Sequence, residues 1–458
     1  MPNIKIIEKF FKTYDLRGKY PEEINEEITF KIGQAFVEFL RKEKPKRKKF
    51  NILIGQDNRL SSSSLFRALA KGITETGTNV ISLGICPTPL FYFASKYCQT
   101  DDGGIMITAS HLARNYNGFK LVKELPIPID SQTGLKKIKN LLTKKFKPAK
   151  KKGKIIKKNL LKEYIKFNLR NFNFKKIKPL KIITDVGNGA AGIVVSKIFK
   201  KTNCQAFHLF LKNDGRFPNR DPDCNKKGGL LRLKEEILKK RANLGIAFDG
   251  DGDRIVFLDE KGKIISPNLI ASLISEIILK EKPKEKILYT VQGSRIIPEA
   301  IKKNNGKPII SKVGHSIIKR KMKKENIFFG AEVSGHYYLK NHYFSEAPFF
   351  VLFKLLEEIS KKGKAISQLV KPFKKYFYFS FNLKTKNGEE KISKLKKFFS
   401  QGKTLEIDGL KIDYPNWSFN LRKSKTEKNI LRLTIEAKTK SLAYEKIKKI
   451  KRLLKIKN

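Results

Sequence analysis

The sequence predicts an α/β protein built from several domains. Its 458 residues exceed the roughly 100–200 residues of a single domain, so we expect three or four. Apolar residues make up 40% of the chain, which is enough to form folded cores. Short apolar runs alternate with amphipathic helical patterns along most of the length, as they do in α/β domains.

No pattern predicts a secreted or membrane protein. The longest apolar stretch, around Ile264–Leu279, contains Pro267 and Glu276, whereas a spanning helix needs about 20 mainly apolar residues. The first residues lack the apolar core and the small-residue cleavage site of a secretory signal. The four cysteines form no CxxC pair, so we expect reduced thiols in a cytoplasmic protein.

The charge is strongly positive: 99 Lys and Arg against 43 Asp and Glu give +56. Such a charge attracts polyanions. However, the excess is spread along the chain, and its dense runs (41–49, 144–158 and 446–457) lack the interleaved aromatic pattern of single-strand binders and any zinc-finger or RNP motif. We interpret them as solvated lysine-rich surface and expect no specific nucleic-acid partner. Anionic sugar phosphates would be attracted by the same field.

The first domain is predicted over residues 1–150. The Lys-rich run 144–158, which also contains Pro and Gly, is typical of a boundary. The predicted elements are a helix at Glu22–Lys42, a strand at Phe50–Ile54, a helix at Ser63–Thr76 and a strand at Gly104–Thr108.

Three further domains are predicted over 151–255, 256–370 and 371–458. The second and third have α/β patterns. The fourth opens with the aromatic run KKYFYFSFNL and closes with a basic amphipathic helix, so we expect a smaller α+β domain. The predicted elements are strands at Lys181–Thr184, Leu244–Phe248, Ile287–Val291 and Ile430–Glu436, and helices at Gly192–Lys200 and after Ser441.

The strongest motif is the acidic segment DGDGDR at 249–254. It places Asp249, Asp251 and Asp253 at alternate positions after an apolar strand, and its glycines let the backbone curl so that the three carboxylates can face one point. Such hard oxygen ligands suit Mg²⁺ or Ca²⁺. An EF-hand loop also begins D-x-D-x-D, but it requires glycine where this chain has Arg254. The pattern therefore favours another kind of metal loop over an EF-hand or a simple acidic turn.

A second motif is the segment TASH at 108–111, followed by NYNGFK at 115–120. A serine presented at the end of a strand can act as a nucleophile or carry a phosphoryl group. Alone this signal is weak, because adjacent side chains such as Ser110 and His111 seldom bond productively. The chain has no G-x-S-x-G segment, which disfavours an acyl-transfer hydrolase.

Two further loops carry polar groups. The segment GAEVSGH at 330–336 offers a carboxylate, a hydroxyl and an imidazole, which suit hydrogen bonding to sugar hydroxyls. The segment RKSKTE at 422–427 offers an arginine, hydroxyls and turn amides, which suit a phosphate. Taken alone, either segment could equally be an ordinary surface turn.

The segment GNGAAG at 187–192 satisfies the G-x-G-x-x-G fingerprint of dinucleotide-binding domains. It follows a predicted strand and opens a helix. Asp214 lies near the position, roughly 20 residues further along the chain, where such domains carry the acidic residue that binds the ribose. A lone fingerprint is weak evidence, so a dinucleotide site stays an alternative to a structural role for these glycines.

In this order, the four motifs resemble those of the α-D-phosphohexomutase family, specifically its phosphomannomutase/phosphoglucomutase branch. The resemblance covers nearly the whole chain. It includes YDLRG at 14–18, similar to the family's Y-D-x-R-G, GQDNR at 55–59 and GHS at 314–316. The glycines at 187–192 fall where the family has a D-x-G-N-G-x-x-G turn, which implies a structural role.

The resemblance implies three similar α/β domains and a smaller α+β C-terminal domain around a central cleft. It implies a mutase that interconverts the 6- and 1-phosphates of mannose or glucose, through a phosphoserine and a hexose 1,6-bisphosphate. Mg²⁺ would be the cofactor, and the partner would be a small sugar phosphate bound by a monomer or homodimer. The alternatives are a phosphoglucosamine mutase, or a weakened mutase scaffold that binds polyanions.

The same resemblance implies roles for single residues. Ser110 would carry the phosphoryl group, and a phosphoserine oxygen would join Asp249, Asp251 and Asp253 in holding Mg²⁺. The groups around the phosphoserine would be Arg17, His111, Lys120 and Arg254, with Lys120 and His315 as candidates for proton transfer. Substrate would be bound by Tyr14, by Glu332, Ser334 and His336 at the sugar hydroxyls, and by Arg422, Ser424, Lys425 and Thr426 at the phosphate that does not react.

Some positions depart from the family pattern. Leu112-Ala113 stands where the family usually has Asn-Pro, and Lys425 and Lys428 stand in the phosphate loop at or near a usual Asn or Gly and a usual Pro. Gln292 occupies a position where some members have Lys. We still expect activity, because the family pattern is intact at the nucleophile Ser110, at the metal-binding aspartates of 249–254 and in the sugar-binding segment 330–336. Because E-V-S-G-H is closest to the E-M-S-G-H of mannose and glucose enzymes, we expect mannose to be preferred.

Overall fold

The structure is a computed structural model that describes residues 4–47, 49–98, 102–123, 126–424, 427 and 429–455. The chain divides into two compact units. The first consists of residues 1–265 and 334–367, and the second of residues 266–333 and 368–458.

The first unit opens with a mixed sheet flanked by helices. The elements are α1 (Ile4–Phe10), β1 (Leu16–Lys19), α2 (Glu26–Glu43), β2 (Asn51–Gln56), α3 (Ser62–Glu75), β3 (Asn79–Ile85), α4 (Thr88–Tyr97), β4 (Gly104–Ile107), β5 (Tyr116–Val122), α5 (Leu135–Leu141) and β6 (Ile155–Lys157). The strand order is β1-β5-β4-β2-β3-β6, antiparallel from β1 to β4 and parallel from there to β6. Apolar residues of α2 and α3 pack against this sheet in one buried cluster.

Helix α2 begins four residues later than the sequence pattern predicts. Asn25 takes the N-cap position in extended conformation, and its side-chain oxygen accepts a hydrogen bond from the Ile28 amide at 3.0 Å. An asparagine in this position satisfies one of the free amides of the first turn. The cap therefore sets the start of the helix.

The first sheet also continues past the predicted boundary at 150. Strand β6 lies parallel to β3, with Ile156 opposite Ile81. The Lys-rich segment before it is bound to α3 and to β3, because the Gly153 amide donates to the Thr74 carbonyl at 2.8 Å and the Val80 amide donates to the Lys154 carbonyl at 2.8 Å. Its polar composition reflects exposure at the sheet edge.

The second part of the first unit is another α/β region. The elements are α6 (Leu161–Leu169), β7 (Lys181–Asp185), α7 (Gly192–Phe199), β8 (Gln205–Leu209), α8 (Leu231–Lys240), β9 (Leu244–Phe248), β10 (Ile255–Leu258) and β11 (Ile264–Ile265). The strand order is β11-β10-β9-β7-β8, with β9, β7 and β8 parallel. The acidic segment turns the chain back so that β10 pairs antiparallel with β9. This sheet therefore continues past the predicted limit at 255.

The remaining elements follow in chain order. They are α9 (Pro267–Glu281), β12 (Lys286–Thr290), α10 (Ile296–Lys303), β13 (Lys307–Ser311), α11 (His315–Glu325), β14 (Phe329–Ala331), β15 (Tyr337–Leu339), β16 (Ser345–Glu346), α12 (Pro348–Lys362), α13 (Ile366–Leu369), β17 (Phe377–Lys384), α14 (Gly388–Phe398), β18 (Lys403–Leu405), β19 (Leu410–Asp413), β20 (Trp417–Lys423), β21 (Ile430–Ala437) and α15 (Lys440–Leu453).

In the second unit, β13, β12 and β14 are parallel neighbours among helices. Strands β17 to β21 form a separate antiparallel sheet in the order β17-β21-β20-β19-β18. Residues of α14 and α15, including Leu395 and Ile447, complete its apolar cluster. The predicted class, α/β with a C-terminal α+β region, is confirmed. Within the described ranges, no helix combines the length and apolar character needed to cross a membrane.

Candidate active site

The acidic loop connects β9 to β10 in the first unit. Asp249, Asp251 and Asp253 are buried, and one carboxylate oxygen from each lies within 4.8 Å of the other two. Gly252 has a φ of 70°, a conformation that glycine adopts without steric cost. A side chain at position 250 would lie 2.6 Å from the Ser110 carbonyl oxygen. Glycine at 250 and 252 therefore lets the loop turn tightly against the serine segment.

The electrostatics of this cluster favour a bound cation. Burial and the neighbouring carboxylates of Asp253 and Asp251 raise the pKa of Asp249 to about 8. One oxygen of Asp251 accepts from the Thr88 hydroxyl at 2.6 Å, and the other is buried without a hydrogen-bond partner among the described residues. Three converging carboxylates and an unsatisfied oxygen fit a hard divalent cation such as Mg²⁺.

Lys120 projects from β5 into the acidic cluster. Its ammonium donates to Asp251 Oδ2 at 2.7 Å and to Asp253 Oδ2 at 2.5 Å. Burial alone would lower the pKa of Lys120, but the two carboxylates raise it well above its usual value. In this arrangement Lys120 is therefore positively charged.

Ser110 lies in the turn after β4, with its hydroxyl at the edge of the acidic cluster. Its Oγ donates to Asp249 Oδ2 at 3.0 Å and lies 3.4 Å from His111 Nδ1. The backbone of Ser110 has a φ of 53°, and its amide donates to Thr108 Oγ1 at 2.7 Å. The structure thus joins two motifs that are 139 positions apart in the chain.

Cationic and neutral groups surround Ser110. Arg17 donates to the Ala109 carbonyl at 3.2 Å and to Asp15 at 2.8 Å. Arg254 Nε lies 3.8 Å from Asp249 Oδ2 and has no hydrogen-bond partner among the described residues. Burial, together with the charges of Arg254 and Arg17, holds the pKa of His111 well below its usual range. The surroundings are therefore suited to a polyanionic group on the serine.

The last residues of the segment GAEVSGH (330–336) also contact the acidic cluster. His336 Nε2 lies 3.0 Å from Asp253 Oδ1, and Ser334 Oγ lies 2.9 Å from His336 Nδ1. The bond to Asp253 orients the imidazole. Ser334 and His336 thus share the first unit with Ser110.

The remaining predicted site residues belong to other elements of the chain. Tyr14 is half-buried just before β1 in the first unit. His315 is the first residue of α11, and the buried Glu332 follows β14, both in the second unit. Lys425, Thr426 and Lys428 lie outside the described residues.

The segment RKSKTE (422–427) begins at the end of β20 in the second unit. Arg422 Nη2 donates to the side-chain oxygen of Gln292 at 3.3 Å. Gln292, which stands where some members of the family have Lys, therefore places a neutral acceptor beside the arginine. Ser424 Oγ accepts from the Glu427 amide at 3.2 Å and from Arg432 Nε at 3.4 Å.

Two residues without a predicted role contact the site. Thr88, at the start of α4, binds Asp251 through its hydroxyl and through its amide, which donates to the Asp251 carbonyl at 2.9 Å. Arg59 hydrogen-bonds the loop that carries Ser110. The GQDNR segment contains Arg59, so the sequence does mark that residue, whereas no local pattern marks Thr88.

The glycine segment 187–192 contacts the acidic loop. The Ala190 amide donates to the Gly250 carbonyl at 3.0 Å, and a side chain at Gly189 would lie 2.7 Å from the same oxygen. Gly187 has a φ of 53° and packs against the guanidinium of Arg220. These contacts favour a structural role over a dinucleotide site.

Comparison with known families gives matches over most of the chain. Residues 8–149 match the model of phosphoglucomutase/phosphomannomutase α/β/α domain I. Residues 162–262 match domain II of the same family, and residues 266–376 match domain III.

Individual relatives match over nearly their full length. The chain is 36% identical over 441 residues to a phosphomannomutase of Escherichia coli K12, covering 93% of this chain and 94% of that protein. It is 34% identical to a phosphomannomutase of Methanocaldococcus jannaschii, covering 97% of each. Among solved structures, a phosphoglucomutase/phosphomannomutase family protein of Burkholderia thailandensis superposes with a TM-score of 0.89 at 27% identity, covering 99% of this chain and 98% of that one.

Proposed function

The chain belongs to the phosphoglucomutase/phosphomannomutase family and is a hexose phosphate mutase, and we propose that Ser110 carries the phosphoryl group it transfers. The observation that carries this proposal is the placement of the Ser110 hydroxyl 3.0 Å from Asp249, beside three buried carboxylates. A hydroxyl next to a cation site is suited to phosphoryl transfer, since that reaction depends mainly on positioning and charge neutralisation.

In the proposed cycle, phosphoserine 110 donates its phosphoryl group to the free hydroxyl of a hexose monophosphate. The P–O bond to Ser110 breaks, a P–O bond to the sugar forms, and a hexose 1,6-bisphosphate results. The sugar hydroxyl loses a proton and Ser110 Oγ gains one. Return of the other phosphoryl group to Ser110 completes the isomerisation.

The proton carriers that we propose are Lys120 and His315. The ammonium of Lys120 lies in the cluster with Asp251 and Asp253, and it is the group that we propose protonates a leaving serine oxygen. Arg17, His111 and Arg254 would bind the phosphoserine, since arginine matches phosphate geometry.

We propose that Asp249, Asp251, Asp253 and a phosphoserine oxygen hold Mg²⁺. The ion would supply Lewis-acid neutralisation of the transferring group. The aspartates would remain ionised around it. The paired Lys120 would keep the local charge balanced when the substrate binds or leaves.

For the sugar, we propose mannose phosphate as the preferred substrate and glucose phosphate as a second one. The names of the relatives and the E-V-S-G-H loop support this choice. The hydroxyls of the sugar would be bound by Glu332, Ser334 and His336. The remaining substrate contacts would come from Tyr14, Arg422, Ser424, Lys425 and Thr426.

A coupled assay with Mg²⁺ and a trace of hexose 1,6-bisphosphate tests the proposal. We expect turnover on mannose 1-phosphate to exceed that on glucose 1-phosphate and glucosamine 1-phosphate. Ser110→Ala should lower kcat by about 10³-fold or more, while Ser441→Ala, at an exposed serine in α15, should not change it. Mass spectrometry of the wild type should find phosphate on Ser110. Full activity of Ser110→Ala would overturn the phosphoserine assignment, and preference for glucosamine 1-phosphate would favour a phosphoglucosamine mutase.

A further inference from the structure

Arg59 is an arginine whose side chain is completely removed from solvent. It lies in the turn between β2 and α3, and each of its five guanidinium N–H groups has an acceptor. Nε donates to Asp57 Oδ2 at 3.0 Å. The other four bonds go to carbonyl oxygens of the loop that carries Ser110 and of the first residue of β5. Nη1 donates to Ala113 (2.7 Å) and to Tyr116 in β5 (3.0 Å), and Nη2 donates to Ser110 (2.8 Å) and Leu112 (2.6 Å).

Asp57 aligns this guanidinium. Its carboxylate also accepts from the Arg59 amide at 3.1 Å and from the Ser62 hydroxyl at 2.6 Å. The Asp57 amide donates to the Ile107 carbonyl at 2.9 Å, at the end of β4. The ring of Phe217 lies 5.4 Å from the guanidinium carbon. The position of Arg59 is therefore set by β2, by β4 and by an aromatic contact.

The bonds of Arg59 bear directly on the conformation of Ser110. A φ of 53° is uncommon for a residue with a side chain. The Ser110 amide is held by Thr108 Oγ1 and its carbonyl by Arg59, so the peptide groups on both sides of the residue are restrained. This conformation directs Oγ at Asp249.

We propose that Arg59 is a positioning residue for phosphoryl transfer, which holds Ser110 in this left-handed conformation through the backbone. The inference rests on the proposed phosphoserine role of Ser110. Because Arg59 binds the carbonyl oxygens of Leu112 and Ala113, it restrains this loop whatever side chains these two positions carry.

The test compares Arg59→Lys with Arg41→Lys. Lysine keeps the charge and the pairing with Asp57, but its three N–H groups cannot reach five acceptors. Arg41 is the matched control, because its guanidinium also donates to a carbonyl, that of Thr76 at 2.6 Å, elsewhere in the first unit. We expect Arg59→Lys to lower kcat by about 10²-fold with KM changed less than about threefold, as for a misplaced reacting group. Arg41→Lys should leave both constants unchanged.

A second variant and a second readout separate positioning from a general loss of structure. Hydrogen exchange over residues 108–116 should rise in Arg59→Lys while exchange over β7–β9 stays the same. Adding Ala113→Pro, the residue usual in the family, should recover at least about tenfold of the lost kcat. Wild-type kcat in Arg59→Lys, or an equal rise in exchange throughout the unit, would overturn the inference. If Ser110→Ala also kept full activity, the proposed function would fail instead.

Discussion

At the residue scale, the acidic loop concentrates negative charge where little water can reach it. Asp249, Asp251 and Asp253 are all buried, and the pKa of Asp249 is raised by burial and by its two neighbours. Lys120 offsets part of this charge. A divalent cation would offset the rest, so the affinity for metal should depend on each carboxylate.

Asp251→Asn is therefore expected to weaken Mg²⁺ binding by about tenfold or more, since a neutral amide replaces a charged ligand. Isothermal titration of the protein with Mg²⁺ measures this directly and needs no turnover. Asp221→Asn is the control, because Asp221 pairs with the exposed Lys226 at 2.7 Å. An unchanged isotherm for Asp251→Asn would remove this residue from the ligand set.

His208 on β8 predicts an acid-sensitive contribution to stability. Burial lowers its pKa below the usual value of 6.5, and its Nδ1 lies 2.8 Å from Thr184 Oγ1. On acidification the unfolded chain binds the proton first, so this contribution is present above about pH 6.5 and is lost as the pH falls towards the lower folded value. We expect His208→Asn to reduce the fall in Tm between about pH 6.5 and pH 5. Parallel Tm curves for wild type and variant would contradict this.

At the element scale, helix α2 shows how a single cap sets a boundary. The Asn25 side chain binds the Ile28 amide at 3.0 Å, and buried residues recur along the helix, which packs against α3 and α5. The hydrophobic pattern specifies the buried face, and the cap specifies where the helix begins.

Asn25→Ala should lower the opening free energy of the α2 amides by about 1 kcal/mol, the usual cost of losing such a cap. Asn25→Asp is the matched control, because it keeps an acceptor at the same position and should change little. Hydrogen exchange of peptides from 26–43 measures the effect. Equal protection in Asn25→Ala and wild type would show that tertiary packing alone maintains the first turn.

At the scale of the whole molecule, the charge of +56 is spread over both compact units. Lysines and arginines also gather locally, as in the cleft lined by Arg41, Lys42, Lys144, Lys145 and Lys147. Exposed cations of this kind attract phosphates without recognising sequence.

We accordingly expect RNA binding that depends on salt and not on sequence. The affinity for a labelled single-stranded RNA should fall by about 10³-fold or more between about 50 and 200 mM salt. Two unrelated sequences should bind equally, and heparin should compete with both. Fluorescence anisotropy over a salt series measures this. Binding that prefers one sequence and resists salt would instead support a nucleic-acid function.

The sequence by itself determined the α/β class, the position of the acidic segment after β9 and the serine turn after β4. These features depend on local signals: apolar runs of strand length, alternating carboxylates and turn-forming glycines. Residues that share one short segment, such as Asp249 and Asp253, can be assigned together because their separation in space follows from their separation in the chain.

Only the tertiary structure decided which distant residues support that site. Thr88 reaches Asp251 across 163 positions, and Arg59 reaches Ser110 across 51. The first two sheets also extend past 150 and 255, because β6 pairs with β3 and β10 pairs with β9. A hydrogen bond between distant segments depends on how the whole chain packs, and no local pattern encodes that arrangement.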